Sequence, residues 1–181
     1  MPTLFSHPAI PLALGFGLGR NAIPPRLLGL GVALSVLPDL DVLAFRLGIR
    51  YASPFGHRGF THSLALALAV ALLCALFHRK LGVPRRVAFA YCAAAMASHP
   101  LLDALTDGGL GVALWWPFSN QRVFLPWHPI AVSPIGTGFF SAHGWAVLQS
   151  ELYSVWLPAG LLGLVVFAAR HAANRRKPNP F

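Results

Sequence analysis

Only five residues of this 181-residue chain are acidic: Asp39, Asp41, Asp103, Asp107 and Glu151. Four of them fall in two short stretches, LPDLD (37–41) and SHPLLDALTDGG (98–109), and the second also carries His99. A third stretch, GHRGFTHS (56–63), contributes His57, Arg58 and His62, and His7 lies near the start. Imidazoles and carboxylates in this mixture are the ligand set of a divalent metal, zinc first, with manganese or iron as further candidates. The competing reading is a purely structural hydrogen-bonded cluster.

Spacing narrows the roles. Residues four apart on a helix are displaced by about 40°, so His99 and Asp103 share a face and can hold one ion between them. Asp107 extends that face by another four residues, but Gly108 and Gly109 mark a helix end there, leaving a solvated carboxylate, or a metal ligand or a partner of one, as alternatives. His57 and His62, five apart, would diverge by about 140° on a continuous helix. They converge only if a turn intervenes, which Gly56 and Gly59 permit, with Thr61 or Ser63 capping the helix that follows. Asp39 is read as a metal ligand and Asp41 as the residue that orients a ligand or activates water. Arg58 is either a fork for an anionic substrate or an interfacial charge.

The elements that must position these residues are membrane helices. The chain is 56% hydrophobic and 10% charged, too few polar residues to cover a water-soluble globule. Apolar runs at 64–77, 87–102 and 152–169 approach, with their flanks, the roughly 20 residues that cross a bilayer. Two shorter runs, 9–19 and 27–37, are rich in glycine and are expected to pack backbone to backbone. The pattern predicts an all-α fold, a multi-pass membrane helical bundle of about five hydrophobic helices. It reads as a single integral-membrane domain: a metal-site core (1–107), an aromatic-rich outer loop (108–151), a last transmembrane helix (152–170) and a basic tail (171–181). With no basic n-region or cleavage site, the first helix is expected to be retained. Cys74 and Cys92 lack metal-ligand spacing and read as packing thiols.

The net charge of +9 points to membrane topology and not to nucleic acid. Arg20, Arg26, Arg79, Lys80, Arg85, Arg86, Arg170, Arg175, Arg176 and Lys177 fall on one side of a five-span arrangement, and only Arg46, Arg50, Arg58 and Arg122 on the other. The positive-inside rule then puts the N-terminus outside and the C-terminus in the cytoplasm. Lys and Arg alone thereby bring LPDLD, HRGFTH and HPLLD, with His7, to one leaflet. Ionisable residues in a bilayer cost roughly 2.5–3.5 kcal/mol each on insertion scales. A divalent ion neutralises the carboxylates and removes that difficulty.

At these residues the sequence resembles the YdjM/YbcI-type family of bacterial inner-membrane proteins, described as metal-dependent hydrolases. The matching pieces are His7, LPDLD, HRGFTHS (57–63), SHPLLDALTDGG and WWPFS (115–119), in order over roughly the first 120 residues. The resemblance implies an inner-membrane hydrolase with a bound metal, and carries over His7, Asp39, Asp41, His57, His62, His99 and Asp103 as site residues.

The expected chemistry is metal-assisted hydrolysis at the outer face of the membrane, with a lipid phosphoester as the natural substrate. Asp41 or Asp107 would take a proton from water, and Arg58 would hold an anionic oxygen. Trp115, Trp116, Phe118, Phe124, Trp127, Phe139, Phe140 and Trp145 crowd the outer loop as an interfacial anchor or a gate. His128 and His143, in the same loop, are candidates for a second metal shell. The other class of function is a non-catalytic metal-binding scaffold or a small transporter. Few polar residues on the cytoplasmic halves of the helices argue against an ion path.

Overall fold

The computed structural model describes residues 1–134 and 136–175. In chain order its helices are α1 (Ala9–Leu18), α2 (Pro25–Val36), α3 (Leu64–Leu76), the single turn α4 (His78–Leu81), α5 (Arg85–Ala104), α6 (Ala142–Glu151) and α7 (Leu157–Arg175). A 3-10 helix, Leu37–Leu47, continues α2, a 3-10 turn, Phe60–His62, precedes α3, and a π-helical turn, Leu152–Trp156, joins α6 to α7. Among the described residues there is no strand; two isolated bridges, Thr106 with Ile130 and Val112 with Val123, staple the 105–134 segment.

Packing shows what surrounds the helices. α3 turns Ala67, Ala71 and Ala75 inward against α5, where Ala88, Cys92 and Ala95 are buried, and exposes Leu68, Leu72, Leu73 and Leu76. Small residues inside and large apolar ones outside is the reverse of a water-soluble helix pair, and it suits helices that pack within lipid. α7 repeats the pattern, exposing Leu161, Leu162, Leu164 and Val165.

Two helical stretches among the described residues are long and apolar enough to cross a membrane, Pro25–Leu47 with 23 residues and Ala142–Arg175 with 34. α1 and α3, at 10 and 13 residues, fall short of the expected crossing length. α5 has 20 residues but carries Arg85, Arg86, His99 and Asp103, and Pro100 does not break it.

Two expectations are corrected. α1 and α2 do not chiefly pair with each other: α1 lies along α7, where Gly17 sits against Gly163 and Val166, and α2 lies along α5, where Gly31 meets the Tyr91 ring. Each glycine removes a side chain where two helices would otherwise clash. The 108–151 segment is not loop throughout, because Ser141 caps a helix at Ala142 by accepting from the Gly144 amide, and that helix runs into α7. Its first part is also folded, with Leu114 accepting from the Leu64 amide and the Ala113 amide donating to the Arg58 carbonyl. Arg176 and Lys177, assigned to the basic tail, lie outside the described residues.

Candidate metal centre

The C-terminal end of α2 and its 3-10 extension, the N-terminal end of α3 and the C-terminal end of α5 meet at one end of the bundle. A 3-10 helix turns about 120° per residue, so Asp39 and Asp41 diverge. Asp39 faces His7, His62 and His99, and Asp41 faces His57 and Thr61. His62 stands between them. Its Nε2 is 3.3 Å from Asp103 Oδ2 and 3.7 Å from Asp39 Oδ1, and its Nδ1 is 3.2 Å from Asp41 Oδ2.

His57 and His62 converge through a turn, as expected, but the left-handed residue is Arg58 (φ 59°) and not a glycine. Gly56 and Gly59 serve the turn by the side chain they lack: a Cβ there would strike the carbonyl oxygens of Arg50 and Pro54. Ser63 caps α3 by accepting from the Leu66 amide, and Thr61 instead donates to Asp41.

Geometry fits a metal at Asp39, His62, His99 and Asp103, whose ligand atoms lie within 4.8 Å of one another. A tetrahedral ion with bonds of about 2.0–2.2 Å separates its ligand atoms by roughly 3.3–3.6 Å. Here His62 Nε2 and His99 Nε2 are 3.0 Å apart, and His99 Nε2 is 3.4 Å from Asp39 Oδ1. The His99 Nδ1 donates to the Ser35 carbonyl at 2.7 Å, which fixes the ring and leaves Nε2 its lone pair in the neutral tautomer. His62 uses Asp41 in the same way. Both nitrogens of His7, both oxygens of Asp39 and Asp103 Oδ1 are buried with no hydrogen-bond partner, a condition that costs about 1–3 kcal/mol per group unless something binds there.

Charge runs the same way. Burial, joined by the neighbouring His99, holds His7 down to about 3, so at neutral pH it is a neutral imidazole with one ring nitrogen free to accept. Burial also opposes protonation of His62, but Asp103, Asp39 and Asp41 outweigh it and lift the group to about 10. A proton on His62 shares the balancing of three carboxylates with the Arg58 guanidinium beside Asp103, and a bound cation would take the place of that proton.

The remaining predicted residues are placed differently. His57 lies beyond Asp41, its Nδ1 2.6 Å from Asp41 Oδ1, in a second group with Asp41 and His62 and not among the four central ligands. Arg58 is fully buried and is not free to hold a substrate. Its Nε donates to Asp103 Oδ2 at 3.1 Å, Nη1 to the Gly108 carbonyl and Nη2 to Thr106 Oγ1, both at 3.0 Å. Asp107 is exposed past the end of α5 and accepts from the Val132 amide at 2.7 Å, tying down the loop instead of facing the cluster. His128 and His143 are exposed, and His143 Nε2 lies 3.2 Å from the Val132 carbonyl.

Two further residues position the site without having been expected there from the sequence. Glu151, 1% exposed, accepts from the Thr3 amide and hydroxyl and from Ser6 Oγ, and so holds the segment that delivers His7. Its scarcity in an apolar chain was the available signal. Arg122 reaches back from the loop to the carbonyls of Tyr51, Ser53 and His57.

Fold and site together define an all-helical membrane protein with a closed imidazole–carboxylate cluster suited to a divalent ion. The chain belongs to the YdjM inner membrane protein family, which it matches over residues 1–175, further than the motifs alone reached. It is 46% identical over 166 residues to inner membrane protein YbcI of Escherichia coli (strain K12), covering 90% of this chain and 95% of that protein. Inner membrane protein YdjM of the same strain and that of Shigella flexneri are each 36% identical over 137 residues, 70% of this chain and 63% of the relative. No solved structure matches. These names support an inner-membrane location and state no activity.

Proposed function

We propose that the chain is a metal-dependent hydrolase acting at the outer face of the inner membrane on a lipid phosphoester. The observation that carries this is the set of unpartnered, buried nitrogen and oxygen atoms on His7, Asp39 and Asp103, beside His62 and His99. A divalent ion held there, zinc first, supplies Lewis acidity and an acidic bound water near neutral pH. Asp41 and His57 hold a proton between Oδ1 and Nδ1 just outside the cluster, the position of an acid–base pair.

Access favours a lipid. The cluster imidazoles His7, His62 and His99 have no exposed surface, and only Asp39 (5%) and Asp41 (9%) approach the outside. Each lines an apolar cleft flanking the 3-10 helix. One of about 560 Å³ runs from Leu4, Ala33 and Val36 to Asp39, and one of about 390 Å³ runs from Phe55, Leu66 and Val70 to Asp41. Clefts of this size are in the range that holds small-molecule ligands, and apolar walls suit a hydrocarbon chain.

The five-pass arrangement with the N-terminus outside is part of the same proposal. Supporting it, Arg26 donates to the Lys80 carbonyl and Arg170 to that of Leu18, all at the helix ends remote from the cluster. Reporter fusions are expected to place residues near Phe55 outside and the C-terminus inside; the reverse pattern overturns this orientation. The hydrolase reading is tested by assaying the purified protein on phospholipids and soluble phosphoesters. Turnover of a phospholipid that stops with chelator is expected. Bound metal without turnover of any substrate would make the chain a scaffold instead.

A further inference from the structure

The cluster offers more ligand atoms than one ion needs, and their arrangement divides them. His7 and His99 are stacked face to face, ring centroids 3.7 Å apart and planes within 18°. A ring nitrogen's lone pair lies in the plane of its ring. Two stacked imidazoles therefore cannot aim at one point: over a metal–nitrogen bond of about 2.0–2.1 Å, a tilt this small leaves their targets separated by most of the stacking distance.

The carboxylates divide in the same way. Asp39 turns Oδ1 toward His99 and His62, at 3.4 and 3.7 Å, and Oδ2 toward His7 at 3.5 Å. Asp103 turns Oδ2 toward His62 at 3.3 Å and Oδ1 toward His7 at 3.8 Å. His7 is fully buried with neither nitrogen partnered, although a lone buried imidazole would ordinarily bond at least one of them.

We propose that the centre holds two divalent cations bridged by Asp39 and Asp103, one on His62 and His99 and the other on His7. This rests on the metal-binding part of the reading above and goes beyond it in the number of ions and the role of His7. Ring centroids 3.7 Å apart keep the two targets distinct, on the scale of the roughly 3.5–4 Å that separates the ions of two-metal hydrolytic sites. Such a pair suits a phosphoester, whose attacking and leaving oxygens can each be stabilised by an ion. Glu151 acquires a purpose here, since it anchors the strap that places the second ion's histidine.

The full-length protein, purified in detergent and stripped of metal, is refilled with Mn(II) and examined by mass spectrometric metal analysis and electron paramagnetic resonance. Two ions per chain with an exchange-coupled spectrum are expected, falling in His7→Ala to one ion with the six-line signal of isolated Mn(II). A single ion in the unaltered protein, or two uncoupled ions, overturns the proposal while leaving a one-metal hydrolase standing; no bound ion overturns both. If His7→Ala does not fold, the count and coupling in the unaltered protein decide alone.

Discussion

Asp103→Ala is expected to empty the centre of metal, and His99→Ala to remove the ion His99 shares with His62. Outer partners of a metal site typically cost about 10- to 100-fold in affinity when removed, and direct ligands cost more. Asp103 is fully buried and directs one oxygen at His62 and the other at His7, so no neighbouring group replaces it. His171 is the matched control: it is exposed on α7 and stacked on Phe167, 5.9 Å between ring centroids. Metal per chain, measured on protein purified without added ions, checks all three variants. Equal occupancy in Asp103→Ala, His99→Ala and His171→Ala would refute the assignment.

Arg58→Met is expected to destabilise the protein by about 3–5 kcal/mol, the range for breaking a buried ion pair from one side. The guanidinium serves three acceptors at once, Asp103, Gly108 and Thr106, and thereby joins the end of α5 to the loop beyond it. Arg58→Lys is expected to rescue little, since an ammonium cannot span three diverging acceptors. Denaturant unfolding in detergent micelles measures the loss. A substrate-binding arginine would behave otherwise: Arg58→Met would stay within about 1 kcal/mol of the unaltered protein and lose only turnover, an outcome that would restore the catalytic role.

The convergence of LPDLD, HRGFTH and HPLLD was legible in the sequence because it depends on which helix ends lie together, and the Lys and Arg gathered at the opposite ends mark that division. His99 and Asp103 on one face followed from helical spacing. What failed depended on which way a side chain turns. Arg58 was expected to face a substrate because an arginine at an interface normally stays wet; only the fold reveals that Asp103, Thr106 and Gly108 surround it. Asp107 continued the spacing of His99 and Asp103, but α5 ends at Ala104, and past that point the periodicity no longer fixes direction. Helix α6 was hidden because its exposed Trp145 and its buried Gly144 are residue types that also fill the loop before it. Its cap, Ser141, is a local signal indistinguishable from the other turn residues nearby.

The π-helical turn at Leu152–Trp156 sets the phase between the two halves of the last long helix. Residues five apart point about 140° from each other on an α-helix but align more closely in the wider turn, and here Glu151 and Trp156 both reach Ser6. Below the turn the same helix lies along α1, with Gly17 against Gly163. Removing one residue from the turn would rotate one half by about 100° relative to the other. The helix could then grip either the strap carrying His7 or the helix that follows that strap, but not both, so a single-residue deletion remote in sequence from every ligand would misalign the centre.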